Sequence, residues 1–322
     1  MEIVAVDIGG THARFALAEI EGRRVVSLGE AVTLKTAEHA SFQTAWEAFT
    51  ASLNRVAPRY AGIAIASPVS GELIKLTNNP WIISPALFGE RLGLDAHVLV
   101  NDFGAVGHAV TQVGPEHLRH LCGPDEPLPE AGVIGVVGPG TGLGVAHVLR
   151  TRGRYHVIES EGGHIDFAPL DAIEDSILTH LRAKFVRVSA ERIASGPGLA
   201  NIYEALAAIE GRTAQAGEAT LLWTTALAGT DSLATAALDR LFLSLGAITG
   251  DIALAQGAQA MVIAGGLGLR LADRFARSGF AERFVAKGRF REMMAGLPVK
   301  LITHPEPGLY GAAAAFAEEH HA

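Results

Sequence analysis

The chain of 322 residues has a formal net charge of −8, with 26 Lys and Arg against 34 Asp and Glu. That balance offers no basic footprint for neutralising a phosphate backbone, so nucleic acid is excluded as the expected partner and a small-molecule ligand is favoured. Hydrophobic residues make up 49%, enough for a continuous core, and a single cysteine, Cys122, excludes both an internal disulfide framework and a multi-thiolate zinc cluster.

The chain meets Asp7 after only four apolar residues, so neither part of a secretory signal is recognised at its start and a cytoplasmic location is expected. Strand-like runs follow at 3–6, 14–18, 25–32, 62–66 and 97–100, with a helix over 41–55 and another starting at Ser84. This alternation predicts an α/β domain with a mixed sheet. "NDFGAVGHAV" reads as a strand end turning into a helix, and a loop rich in Gly, Pro and acidic residues spans 114–132.

The second half repeats the grammar of the first. Residues 133–150 line up with 3–20 at an offset of 130, so that Gly140 and Thr141 fall on Gly10 and Thr11. Strand, Gly/Thr turn and strand occur twice, which suggests duplicated halves facing each other across a cleft; chance similarity between two glycine-rich turns is the alternative. Helices are expected over 171–184, 190–195, 198–209 and 233–256, strands at 261–264 and near 299–302, and an Ala-rich helix over 308–319. The most apolar stretch, from Ala253, is broken by Gln256, Gln259 and several glycines, so no membrane span is expected.

Glycine turns matter because backbone N–H groups approach phosphate oxygens where no Cβ blocks them, and Thr11 adds a hydroxyl. Neither turn is a Walker A loop, and both run into strands instead of opening a helix, which argues against a dinucleotide fingerprint. Hairpins with positive-φ glycines would explain each turn alone. Asp7 shifts the balance: a carboxylate at the end of a buried strand needs a cation, and magnesium on nucleotide phosphates, held through water, is the natural one. Val137 occupies the matching place in the second copy. A third element, Gly265 and Gly266, would let adenine and ribose lie against the backbone, or would simply serve a strand-to-helix turn.

Among the carboxylates, Asp102 is either a helix N-cap or a general base that takes the proton of a substrate hydroxyl attacking a γ-phosphate. Asn101 beside it would hydrogen-bond another hydroxyl. "ESEGGHIDF" gathers Glu159, Glu161, His164 and Asp166, polar groups suited to a sugar; metal ligation is the rival. Glu191 would serve the same site or be a first-turn acid behind a Ser189 cap.

These strings in this order resemble, end to end, the bacterial ATP-dependent glucokinases of the hexokinase and actin-like ATPase superfamily: "DIGGTHARFAL", "NDFGAV", "GPGTGLGVA", "EGGHIDFAP", "VSAERIASGPGL" and "IAGGL". The resemblance implies a two-lobed α/β fold of the ribonuclease H-like kind with duplicated mixed sheets, a smaller lobe of 1–112 plus 303–322 and a larger one of 113–302, with nucleotide and sugar in the cleft. It implies ATP with Mg2+ on Asp7, Ile8, Gly9, Gly10 and Thr11, Arg14 supporting that turn, Gly140, Thr141 and Gly142 closing on the phosphates, and Gly265 and Gly266 bordering adenosine. Asp102 would deprotonate the 6-hydroxyl of D-glucose, with Asn101, Glu161, His164 and Glu191 on the other hydroxyls, and the protein would be a homodimer. One cysteine cannot form the zinc motif of the sister group of sugar kinases and repressors, and His12 stands where many relatives have Asn.

Overall fold

The computed structural model describes residues 1–69, 71–76, 79–214 and 219–320. It divides into two units, Met1–Gly114 with Val157–Glu159 and His304–Ala322, and Pro115–His156 with Ser160–Thr303.

The first unit contains β1 (Glu2–Ile8), β2 (His12–Glu21), β3 (Arg24–Leu28), β4 (Val32–Lys35), α1 (Phe42–Ser52), β5 (Tyr60–Ile65), β6 (Ile74–Lys75), β7 (Ile82–Ile83), α2 (Phe88–Leu92), β8 (Ala96–Asn101) and α3 (Asp102–Gln112). Its main sheet has the order β3-β2-β1-β5-β8, with β4 also on β2. β1 and β2 are antiparallel, and β5 and β8 continue the sheet in parallel. Ile3, Val4, Ala5, Val6 and Ile8 are all buried because both faces of β1 are covered. One face meets Phe15, Phe42, Trp46 and Phe49; the other meets the alanines of the chain's last helix, Pro307–Glu319. Gly62 on β5 permits that contact, since a Cβ there would collide with the Ala312 carbonyl, and Gly311 lets the same helix close on α3, where a Cβ would strike the Ala105 carbonyl.

The single strand expected over 25–32 is two strands, because the chain breaks at Gly29, whose N–H turns to the Leu17 carbonyl at 2.8 Å. The helix expected over 41–55 is shorter, starting behind a Ser41–Thr44 capping box and ending at Ser52.

The second unit comprises β9 (Leu118–Cys122), β10 (Gly132–Pro139), β11 (Leu143–Thr151), β12 (Arg154–Ser160, of which Val157–Glu159 belong to the first unit), α4 (Ala172–Phe185), α5 (Gly196–Ile209), α6 (Ala219–Ala228), α7 (Ser232–Gln256), β13 (Ala258–Ile263), α8 (Gly265–Arg270), α9 (Phe280–Val285), α10 (Arg291–Ala295) and β14 (Val299–Ile302). The last helix of the chain is α11. The sheet order β12-β11-β10-β13-β14-β9 repeats the first: an antiparallel hairpin whose opening strand is flanked by two successive parallel strands. The duplication inferred from two short turns therefore extends to sheet topology. The copies differ by one residue in register, for Asp7 faces Arg14 whereas Val137 faces Val145.

The segment expected as a helix over 190–195 is a single 3-10 turn, Ala190–Arg192, and α5 begins earlier than expected because Ser195 accepts the Gly198 N–H and Pro197 suits a first helical turn. Among the described residues α7 is the one helix long and apolar enough to cross a membrane, yet 72% of its most apolar window is buried, with Leu238, Leu241, Phe242 and Leu245 in the core. Its apolar character is thus accounted for by packing. A partly buried ion cluster joins α4, α7 and α9: Arg283 reaches Glu174 at 3.3 Å and Asp171 at 2.5 Å, and Arg240 reaches Asp171 at 2.5 Å.

Candidate functional site

In the first unit, the hairpin register sets Asp7 opposite Arg14. Arg14 Nη1 donates to Asp7 Oδ2 at 3.3 Å, and its Nε lies 3.8 Å from Glu306 Oε2. The cation demanded by the buried carboxylate is thus supplied in part by the protein itself. Arg14 is tied to the carboxylate at the end of β1, beside the turn. The turn itself is held by Gly9 N–H to His12 O at 2.9 Å, Thr36 Oγ1 to Gly10 O at 3.1 Å and Asn79 Nδ2 to Gly9 O at 3.4 Å. Thr11 and His12 are exposed at the tip, their side chains 3.0 Å apart. Ile8 offers a ligand little: its side chain is buried in the core and its carbonyl accepts the Ala66 N–H.

Burial pushes the Asp7 carboxyl pKa up, Arg14 opposes the shift, and Glu306 adds to it. Glycine at 308 lets the first turn of α11 come close, for a Cβ there would lie 2.8 Å from Asp7 Oδ2. A raised folded pKa gives stability that is complete below the unfolded value of 3.8 and is lost as pH rises through the folded value. Asp7→Asn is therefore expected to melt at a higher temperature than the parent at pH 7, with the gap closing as pH falls toward 4. Thermal unfolding between pH 4 and 8 checks this; a variant melting below the parent at pH 7 would show that ionised Asp7 stabilises the fold. Among the described residues no three His, Cys, Asp or Glu converge at metal-ligand spacing. One desolvated carboxylate fits an ion that keeps its waters and shares phosphate oxygens, which is how magnesium is commonly held.

At the start of α3, Asn101 is the N-cap: its Oδ1 accepts Phe103 N–H at 2.8 Å and Gly104 N–H at 3.4 Å, and its Nδ2 donates to Ser67 O at 3.3 Å. This overturns the N-cap reading of Asp102, which is the first helical residue and accepts Phe103 N–H at 2.8 Å. Glu159 accepts the Asn101 N–H at 2.7 Å, and a Cβ on Gly104 would collide with its carboxylate.

In the second unit, Gly140 N–H bonds Gly142 O at 2.8 Å, and Gly140 O accepts Gly196 N–H at 2.7 Å, which ties the turn to the start of α5. Glu191 Oε2 accepts Leu143 N–H at 3.0 Å and abuts Gly142, where a Cβ would collide with it. Ser189 stands at the N-cap position of the 3-10 turn without a side-chain cap bond, and Glu191 is the acid of that first turn; its carboxylate also braces the glycine turn. The 3-10 turn Gly162–His164 places His164 Nε2 3.8 Å from Glu161 Oε2, both side chains exposed, and Gly163 is required because a Cβ would strike the Leu143 carbonyl. Leu143 thus meets Glu191 through its N–H and the Glu161–His164 turn through its carbonyl.

Gly265 adopts φ +80° with its Cβ position 2.7 Å from Pro139 O, so glycine is obligatory there on both counts. Gly266 faces open space and lines a cavity of about 850 Å³ together with Gly140, Thr141, Gly196, Asn201 and Trp223. The cavity unites the second glycine turn with the third glycine element. Trp223 stands under the Arg270 guanidinium at 5.1 Å, on a helix, α6, whose apolar sequence lacks a clear helical stripe. Cys122 is half-buried, and burial pushes its thiol up to about 12.

A sequence-family model described as Glucokinase matches residues 4–319. The glucokinase of Zymomonas mobilis subsp. mobilis is 64% identical over 320 residues, 99% of either chain. That of Paramagnetospirillum magneticum is 40% identical over 315 residues, 97% of this chain and 96% of the other. The crystal structure of a glucokinase from an Antarctic psychrotroph superposes with a TM-score of 0.88 at 33% identity, over 98% of both chains.

Proposed function

The chain belongs to the glucokinase family, and on that premise we propose how its residues divide the transfer of the γ-phosphoryl group from ATP to the 6-hydroxyl of D-glucose. Phosphorylation of glucose by ATP is its activity; the roles below are the proposal.

The observation that carries the assignment is the start of α3. Asn101 caps the helix, so Asp102 is not needed for that purpose, and its carboxylate stands at the helix's positive end. Asp102 accepts the 6-hydroxyl proton while that oxygen forms a bond to the γ-phosphorus and the bond from γ-phosphorus to the bridging oxygen breaks, releasing ADP. Asn101 Nδ2 has a second proton beyond the one given to Ser67, and it donates to a sugar hydroxyl. Glu161, His164 and Glu191 take up the remaining hydroxyls.

Gly9, Gly10 and Thr11 present backbone and hydroxyl donors to phosphate, as do Gly140, Thr141 and Gly142, while Gly265 and Gly266 give the adenosine a surface free of side chains. Magnesium bound to the nucleotide neutralises phosphate charge. Asp7 would hold that ion through water, with Arg14 free to turn from Asp7 toward the phosphates. The same reading includes a homodimer in the cytoplasm, for which sedimentation equilibrium of the purified chain checks the assembly.

The test is ADP release from Mg-ATP with glucose, mannose, fructose, glucosamine and N-acetylglucosamine supplied one at a time, and with 6-deoxyglucose. Strong turnover with glucose is expected, and 6-deoxyglucose should compete with glucose while releasing no ADP above the background without sugar. Sugar-stimulated ADP release with 6-deoxyglucose would move the acceptor to another hydroxyl.

A further inference from the structure

We infer that Arg187 is a positioning residue for the Glu161–His164 turn, aimed at it by a strained γ-turn at Val186. The inference rests on the reading of that turn as a sugar contact. The glycines of the turn pack on Leu143 and Val145, but its working side chains are not held by burial: those of Glu161 and His164 are 71% and 54% exposed, and Ile165 is 42% exposed. Arg187 holds it from outside. Its Nη2 donates to the His164 carbonyl at 2.6 Å, and its Nε lies 2.8 Å from Asp166 Oδ1. One planar guanidinium therefore spans the residues on both sides of Ile165, a two-pronged grip that the single ammonium of lysine does not reproduce. Backbone bonds continue the lacing, with Ala190 N–H on Ile165 O at 2.8 Å and Phe167 N–H on Val188 O at 3.0 Å.

The way the chain reaches Arg187 is unusual. At the end of α4, Val186 has φ +63° and ψ −59°, and Arg187 N–H bonds the Phe185 carbonyl at 2.6 Å. That is a γ-turn with positive φ, a rare and strained form, and a β-branched residue fits it poorly. Val186 is 89% exposed, so no burial offsets the strain. It persists because both flanks are pinned. The Phe185 ring carries the Arg192 guanidinium at 4.3 Å, and Val188 is buried in the core. An exposed ion pair adds little stability, so strain kept to place Arg187 points to geometry at a working site.

Steady-state kinetics and thermal melting of Arg187→Ala, Arg187→Lys, Val186→Gly and His164→Ala test this. Arg187→Ala is expected to raise the glucose KM about 5- to 20-fold, with kcat and the ATP KM within about twofold and an unchanged melting temperature, the signature of lost ground-state positioning. Arg187→Lys should recover only part of that loss. Val186→Gly should melt higher than the parent and yet bind glucose more weakly, because relief of the strain frees the turn. A normal glucose KM in Arg187→Ala, with a raised one in His164→Ala, would overturn the positioning role alone. A normal glucose KM in His164→Ala would overturn the sugar-contact reading itself. If Arg187→Ala raised both KM values together and lowered the melting temperature, Arg187 would be structural and the inference wrong; a normal KM in Val186→Gly would remove the γ-turn from it.

Discussion

Asp102→Asn is expected to lower kcat by about 10²-fold or more while the glucose dissociation constant stays within about threefold, the scale at which loss of a general base is felt. The substitution isolates basicity. Asn keeps the volume and an oxygen that can accept the Phe103 N–H, and the cap of α3 is untouched because Asn101 provides it. A fall in activity therefore cannot be assigned to a frayed helix. Asp102→Ala removes the Phe103 contact as well, and should add little to the loss of turnover if the missing proton acceptor is what matters. ADP release measures kcat, and glucose binding by calorimetry measures affinity in the same preparations. Turnover near the parent's in Asp102→Asn would take Asp102 out of the mechanism and leave positioning and charge stabilisation as the whole of catalysis.

What could be read from the sequence were the elements whose signal is local. Both glycine hairpins, the strand into α3 and the Ala-rich last helix each advertise themselves within a dozen residues, and the hairpins even betray the duplication of the sheets. Partners across the chain were harder. Arg14 faces Asp7 by antiparallel register about a tight Gly10–Thr11 tip, whereas the carboxylate taken without that register points to a metal. Asn101 and Asp102 are adjacent residues of equal capping ability, and only the backbone decides between them. The edge strands β9 and β12 escaped notice because edges are short and polar, as Arg119, His120, Arg154, His156 and Glu159 show. The cavity that joins Gly140 to Gly266 and Trp223 is assembled from distant segments, and one of its walls, α6, is apolar without a clear helical stripe.

Arg283→Met is expected to destabilise the protein by about 3–5 kcal/mol, the cost of leaving a buried charge without its partner. Glu174 is 1% exposed; its Oε2 accepts the Leu170 N–H at 2.7 Å and meets Arg283 Nη1 at 3.3 Å, while its Oε1 is buried with no hydrogen-bond partner. Arg283 is consequently the cation that faces the buried Glu174 carboxyl group. Arg240→Met should cost much less, since it touches Asp171, which retains Arg283 and caps α4 through its other oxygen. At Asp171 burial works against ionisation, but the Glu174 N–H and the two arginines outweigh it and hold the carboxyl below its ordinary value. That stability is present above the unfolded pKa and is lost as pH falls through the lowered folded one, so the deficit of Arg240→Met should shrink in acid. The decisive comparison is Arg283→Met with Glu174→Leu in one chain. Removing both charges abolishes the desolvation cost along with the attraction, so the pair should regain a large part of the loss despite the orphaned Leu170 N–H. Urea unfolding at pH 7 reads all four proteins. A single Arg283→Met variant within about 1 kcal/mol of the parent would mean that Glu174 does not depend on Arg283 for its place in the core.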